Sequence, residues 1–109
     1  METNSALAAL AALAHPTRLD TFRLLVRHEP DGLTTGALVA ASGLSQSTLS
    51  THLAVLAKAG LVTAEKRGRQ QVQRASIDTL RSLMTFLAKD CCQGRPELCE
   101  PLVAELICC

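Results

Sequence analysis

The stretch from Ser42 to Gly60 constrains this chain more than any other. Gly43 suits a left-handed backbone, the conformation in which helices commonly end. Ser45 follows as a short polar residue that can cap the next helix by accepting from its orphan amide N–H groups. Leu49, Leu53 and Leu56 then recur at helical spacing, and Gly60 closes the run. A helix, a tight turn and a second helix from Gln46 to about Ala59 are predicted. The 109 residues include no Trp, no Tyr and only two Phe, so the surrounding core falls to Leu, Val and Ala. Such a core favours packed helices over a β-sandwich. The length is that of one domain.

The flanking segments extend this reading. Asn4 or Ser5 is placed to cap a first helix reaching about Ala14, with Leu7, Leu10 and Leu13 spaced along one face. Glu2 stands where a signal peptide carries basic residues, so the apolar start reads as a helix rather than a leader. No run approaches the ~18 apolar residues of a membrane span, and the cytoplasm is the expected compartment. Pro16 fits the first turn of a second helix with Leu19, Phe22, Leu25 and Val26 on one face, ending near His28. Glu29-Pro30-Asp31-Gly32 is a turn. Thr34 or Thr35 caps the short third helix, which runs to about Ala41. After Gly60, residues 61–66 and 71–76 read as two strands joined by Arg67-Gly68-Arg69-Gln70. Ser76 caps a fifth helix from Ile77 to about Lys89, with Leu80, Leu83, Met84 and Leu87 on its apolar side. Gly94 and Pro96 break the chain beyond it, and Pro101 opens a last short helix to Ile107.

The net charge of +1 conceals a division along the chain. In residues 1–44, Arg18, Arg23 and Arg27 stand against Glu2, Asp20, Glu29 and Asp31, a balance of −1. In residues 45–74, Lys58, Lys66, Arg67, Arg69 and Arg74 stand against Glu65 alone, a balance of +4. The remainder is acidic at −2. A basic segment confined to a helix and the hairpin after it is the footprint of a nucleic-acid surface. Opposite the leucine stripe, the fourth helix carries Gln46, Ser47, Ser50, Thr51 and Lys58. Small hydroxyl and amide groups at a helix N-terminus can reach base edges in the major groove. Arg67 and Arg69 at the hairpin tip can hold a backbone or enter a minor groove. His52 lies beside the buried stripe and reads as a structural residue. The fold class is therefore mainly α with a small β-hairpin, a winged helix-turn-helix.

The residues Ala14-His15-Pro16-Thr17-Arg18-Leu19, then Leu44-Ser45-Gln46-Ser47-Thr48-Leu49-Ser50-Thr51-His52-Leu53, then Leu56 and Ala59-Gly60-Leu61-Val62, resemble the ArsR/SmtB metal-responsive repressors. The resemblance covers about residues 5–90. It implies a homodimer formed by the first and fifth helices. It also implies binding to double-stranded operator DNA at an imperfect palindrome, with release when a metal or metalloid binds, and no membrane partner.

All five cysteines lie at or beyond position 91: Cys91, Cys92, Cys99, Cys108 and Cys109. An odd number of thiols in a reducing compartment fits a disulfide framework poorly. Three thiolates on one soft centre suit trivalent arsenic, whereas zinc prefers four. Cys91, Cys92 and Cys99 are the expected ligands for arsenite, or for antimonite. His15, His28 and His52 all lie far upstream. Family sites at the third helix (Leu33 to Leu38, with no Cys) and on the fifth (Asp78 but no His) are missing, so any sensor falls to the C-terminal thiols. Cys91-Cys92 with a nearby third Cys is similar to arsenite-responsive members whose site has moved there. Cys108 and Cys109 can complete the site, receive metalloid from a donor, or stand idle. Residues 1–90 are accordingly read as a DNA-binding and dimerisation domain and 91–109 as a cysteine-rich inducer-binding tail. Two alternatives stay open: a thiol redox-sensing repressor, and a small thiol enzyme or metallochaperone.

Overall fold

The computed structural model describes residues 1–88. Five helices and three strands follow one another: α1 (Thr3–Leu13), α2 (Pro16–Arg27), β1 (Leu33–Thr34), α3 (Thr35–Ser42), α4 (Gln46–Lys58), β2 (Val62–Arg67), β3 (Gln70–Ala75) and α5 (Ile77–Ala88). The caps explain most boundaries. His15 accepts from Thr17 N–H through Nδ1 at 3.1 Å, and Pro16 takes the first helical position of α2. Thr34, rather than Thr35, caps α3 by accepting from Ala37 N–H at 3.1 Å. Ser45 caps α4 by accepting from Thr48 N–H at 3.3 Å, and Ser76 does the same for Thr79 at the start of α5. Gly43 sits at φ +72°, in the left-handed conformation the turn requires. The first helix departs from expectation: it begins earlier, after Glu2, with no side-chain cap at Asn4 or Ser5.

The wing is larger than the two-stranded hairpin expected. β1 pairs antiparallel with β3, giving a three-stranded sheet in the order β1-β3-β2. Two residues of β1 carry no periodicity that a sequence reading could detect. Val62 pairs with Ala75 and Arg67 with Gln70, so the loop contains only Gly68 and Arg69 and each strand is shifted by one residue. Gly32 delivers the chain to this sheet at φ +73°, where an added Cβ would lie 2.5 Å from the Gln73 carbonyl oxygen. Only glycine fits so close to the backbone of β3.

The core gathers Phe22 and Leu25 of α2, Leu38 of α3, Leu49, Leu53 and Leu56 of α4, Leu61, Val62, Ala75 and Leu83. From α1 it takes Ala6, Ala9 and Ala12. This corrects the expected role of the leucines of α1. Leu7 is 58% exposed and Leu10 39%, while Leu13 alone packs against the core. The alanine face turns inward because α1 lies against both α2 and α4, and small side chains permit that approach. Leu19 of α2 is likewise exposed rather than aligned with buried Phe22 and Leu25. On α5 only Leu83 is fully buried, Leu80 is partly so, and Met84, Phe86 and Leu87 remain exposed. α1 and α5 touch, and each leaves apolar residues exposed. Among the described residues, no helix is long and apolar enough to cross a membrane.

Candidate nucleic-acid interface

Burial of Leu49, Leu53 and Leu56 fixes the rotation of α4 about its axis. At ~100° per residue, Ser47, Thr51 and Lys58 then point directly away from the core, and Gln46 and Ser50 take one shoulder. All five are exposed. That shoulder faces the wing. An open groove of about 330 Å³ is lined by Gln46 and Ser50 of α4, Thr34, Thr35 and Gly36 at the start of α3, and Arg69, Gln70 and Gln71 of the wing. The helix termini at this groove leave amide N–H groups that α-helices cannot satisfy internally, a positive end suited to phosphate. Gln46 is the amide nearest the N-terminus, with donor and acceptor both available for a base edge. The Thr51 hydroxyl donates back to the Ser47 carbonyl at 3.0 Å.

The cations of the basic segment divide by partner. Arg74 donates to Glu29 at 2.8 Å, and that hydrogen bond, then the charge of Glu29, raises its pKa above the ordinary arginine value. Oε1 of Glu29 and Nε of Arg74 are buried without partners, so the contact is a single bond rather than a two-point fork. It ties the turn after α2 to β3 and withdraws Arg74 from the surface charge. Arg67 meets Glu65 at 3.2 Å on the exposed strand, a pairing worth ~0–1 kcal/mol that DNA can displace. Lys58, Lys66 and Arg69 have no acidic partner among the described residues.

The structure therefore brings together Gln46, Ser50 and Arg69, and sets Ser47 and Thr51 on the adjoining outward face. Lys58 lies apart, ~18 Å from Gln46 along the helix axis, in reach of backbone rather than of the same bases. Thr34, Thr35, Gln70 and Gln71 were not singled out from the sequence. The pair of glutamines following the basic turn was the available signal. His52 occupies the far shoulder of α4, half-buried, with its ring centroid 4.7 Å from that of His15. Burial, then the charges of His15 and Arg18, push its imidazole below the ordinary 6.5. Cys91, Cys92, Cys99, Cys108 and Cys109, and the last helix expected at Pro101–Ile107, lie outside the described residues. Among the described residues no three His, Cys, Asp or Glu side chains stand close enough to hold a metal.

A helix delivered by a tight turn with its polar side outward, and flanked by a basic wing, defines a winged helix-turn-helix DNA-binding protein. A family model described as a helix-turn-helix domain matches residues 13–65. The transcriptional activator HlyU of Vibrio cholerae is 36% identical over 96 residues, 86% of each chain. Its reduced form, as a solved structure, gives a TM-score of 0.63 at 31% identity, covering 83% of this chain and 92% of that one. An ArsR-like transcriptional regulator from Rhodococcus sp. RHA1 gives 0.73 at 25% identity, covering 93% and 89%. The homodimeric DNA-binding domain of a possible ArsR-family regulator from Mycobacterium bovis gives 0.65 at 26%, covering 84% and 85%. The chain belongs to the ArsR family of transcriptional regulators and is a relative of HlyU. Regulators as relatives remove the thiol-enzyme alternative.

Replacing Arg69 by Ala is expected to weaken DNA binding about equally across sequences and to reduce the salt dependence of binding by about one charge. Anisotropy titrations at several salt concentrations read both quantities.

Proposed function

We propose that this regulator is a homodimeric repressor released from its operator by trivalent arsenic. Two chains join through α1 and α5, so that their α4 helices enter successive major grooves of an imperfect palindrome. The observation that carries this reading is the position of the thiols. Cys91 and Cys92 follow α5 within a few residues, and α5 leaves Met84 and Leu87 uncovered in the single chain. A ligand gathered there acts at the end of a dimerisation helix. The thiols of Cys91, Cys92 and Cys99 replace the three hydroxyls of arsenous acid and release three waters, and antimonous acid can react in the same way. Reorienting the two recognition helices by a coupling of ~3 kcal/mol would lower operator affinity about a hundredfold.

Titrating a labelled operator complex with arsenite, antimonite, zinc and cadmium tests this. Arsenite should release the wild type. Cys91→Ser and Cys92→Ser should bind DNA normally and resist release. Retained release in both variants refutes the assignment. The relative HlyU, with a solved reduced form, favours one second reading: oxidation of Cys99 with Cys91 or Cys92 as the releasing event. Release by peroxide but not by arsenite selects that reading.

A further inference from the structure

His52 sits on the recognition helix but outside its DNA-facing side, and its surroundings are set by another part of the chain. Its ring approaches that of His15, the cap of α2, at 4.7 Å between centroids with a tilt of 42°. The Nδ1 lone pair of His15 is committed to Thr17 N–H at 3.1 Å, so a proton on that atom would break the cap. Nδ1 of His52 is buried with no partner, so a proton there would be a buried donor without an acceptor. One turn beyond His15, Arg18 is held in place by donating from Nε to the Ala12 carbonyl at 2.6 Å, at the end of α1. His15 and Arg18, both on α2, are the charged or titratable groups among the described residues whose fields reach His52. Among the described residues, no carboxylate is one of the groups whose fields reach His52. Residues of α1, α2 and α4, with the cap at His15, thus meet at this contact.

We propose that His15 and His52 form a proton-sensitive positioning pair, which seats the recognition helix and weakens DNA binding when it takes up a proton. The sign follows from linkage. A histidine whose pKa is lower in the seated state binds fewer protons there, so the seated state is favoured fully above 6.5 and progressively less as pH falls toward the lowered value. The direction is diagnostic, because acidification alone makes a protein more cationic and tightens binding to phosphate. The inference rests on the DNA-binding assignment and is independent of the thiols.

The test is anisotropy with the intact protein and operator DNA from pH 7.5 to 5.0, at constant ionic strength, in reducing buffer without metalloid. The wild type should lose affinity by about tenfold as the pH falls, and His52→Gln by less than about twofold. The imidazole proton resonances of His52 should report a pKa below 6.5. His15→Asn retains a capping side chain while removing the neighbouring ring, and should move that pKa up and shrink the affinity loss. Circular dichroism at each pH follows the fold. If His52→Gln does not fold, the resonance titration and His15→Asn decide. Equal pH profiles for wild type and His52→Gln, tighter wild-type binding in acid, or His52 titrating at or above 6.5 would each overturn the proposal.

Discussion

Leu87→Glu is expected to leave the single chain folded, abolish dimerisation and weaken operator binding by about a hundredfold or more. Leu87 is 53% exposed in the single chain, so its replacement disturbs little of the internal core. In the proposed dimer the same residue lies within an apolar surface shared with Leu7, Leu10, Met84 and Phe86. Two-fold symmetry would then place two carboxylates in that surface without partners, at a cost of several kcal/mol. Two linked recognition helices bind DNA as one bivalent ligand, and separating them forfeits an avidity of ~10²–10⁴. Sedimentation of the variant, with circular dichroism and anisotropy on the same samples, measures all three effects. A variant that stays dimeric would place the interface elsewhere.

Leu56→Ala should lower the unfolding stability of the DNA-free protein by about 2–5 kcal/mol. Leu56 is fully buried on α4, between the helices and the first residues after Gly60. Truncating it loses the transfer energy of its methyl and methylene groups and leaves a cavity that rigid neighbours fill only in part. A domain of this size has ~5–15 kcal/mol in total, so the shift in a urea transition is large. Because Leu49, Leu53 and Leu56 also set the rotation of α4, the variant should bind DNA more weakly even where it remains folded. A stability change below about 1 kcal/mol would mean that the site collapses without a cavity.

The candidate DNA-reading elements are legible because local chemistry dictates them. Gly43 can turn left-handed, Ser45 can cap, and a leucine stripe from Leu49 to Leu56 leaves only one side of the helix for polar residues. Gln46, Ser50 and Arg69 stand out from these local signals as candidate DNA contacts, and in the fold they line one groove. The other side of that groove does not stand out in this way. Thr34, Thr35, Gln70 and Gln71 reach it because β1 adds a third strand, and that pairing joins residues about forty positions apart. Arg74 counted toward the basic segment, yet Glu29 neutralises it from 45 positions upstream.

The sequence by itself determined the order of the five helices and the hairpin, the caps of α4 and α5, the turn at Gly43, and the polar side of α4. Each depends on residues within a turn or two of one another. Only the tertiary structure decided which apolar stripe of α1 belongs to the chain's own core. Periodicity reports that a helix has faces of different chemistry, but not what lies opposite them. The alanines Ala6, Ala9 and Ala12 bury because α2 and α4 come too close for larger side chains, and that closeness turns Leu7 and Leu10 outward, free to meet a second chain.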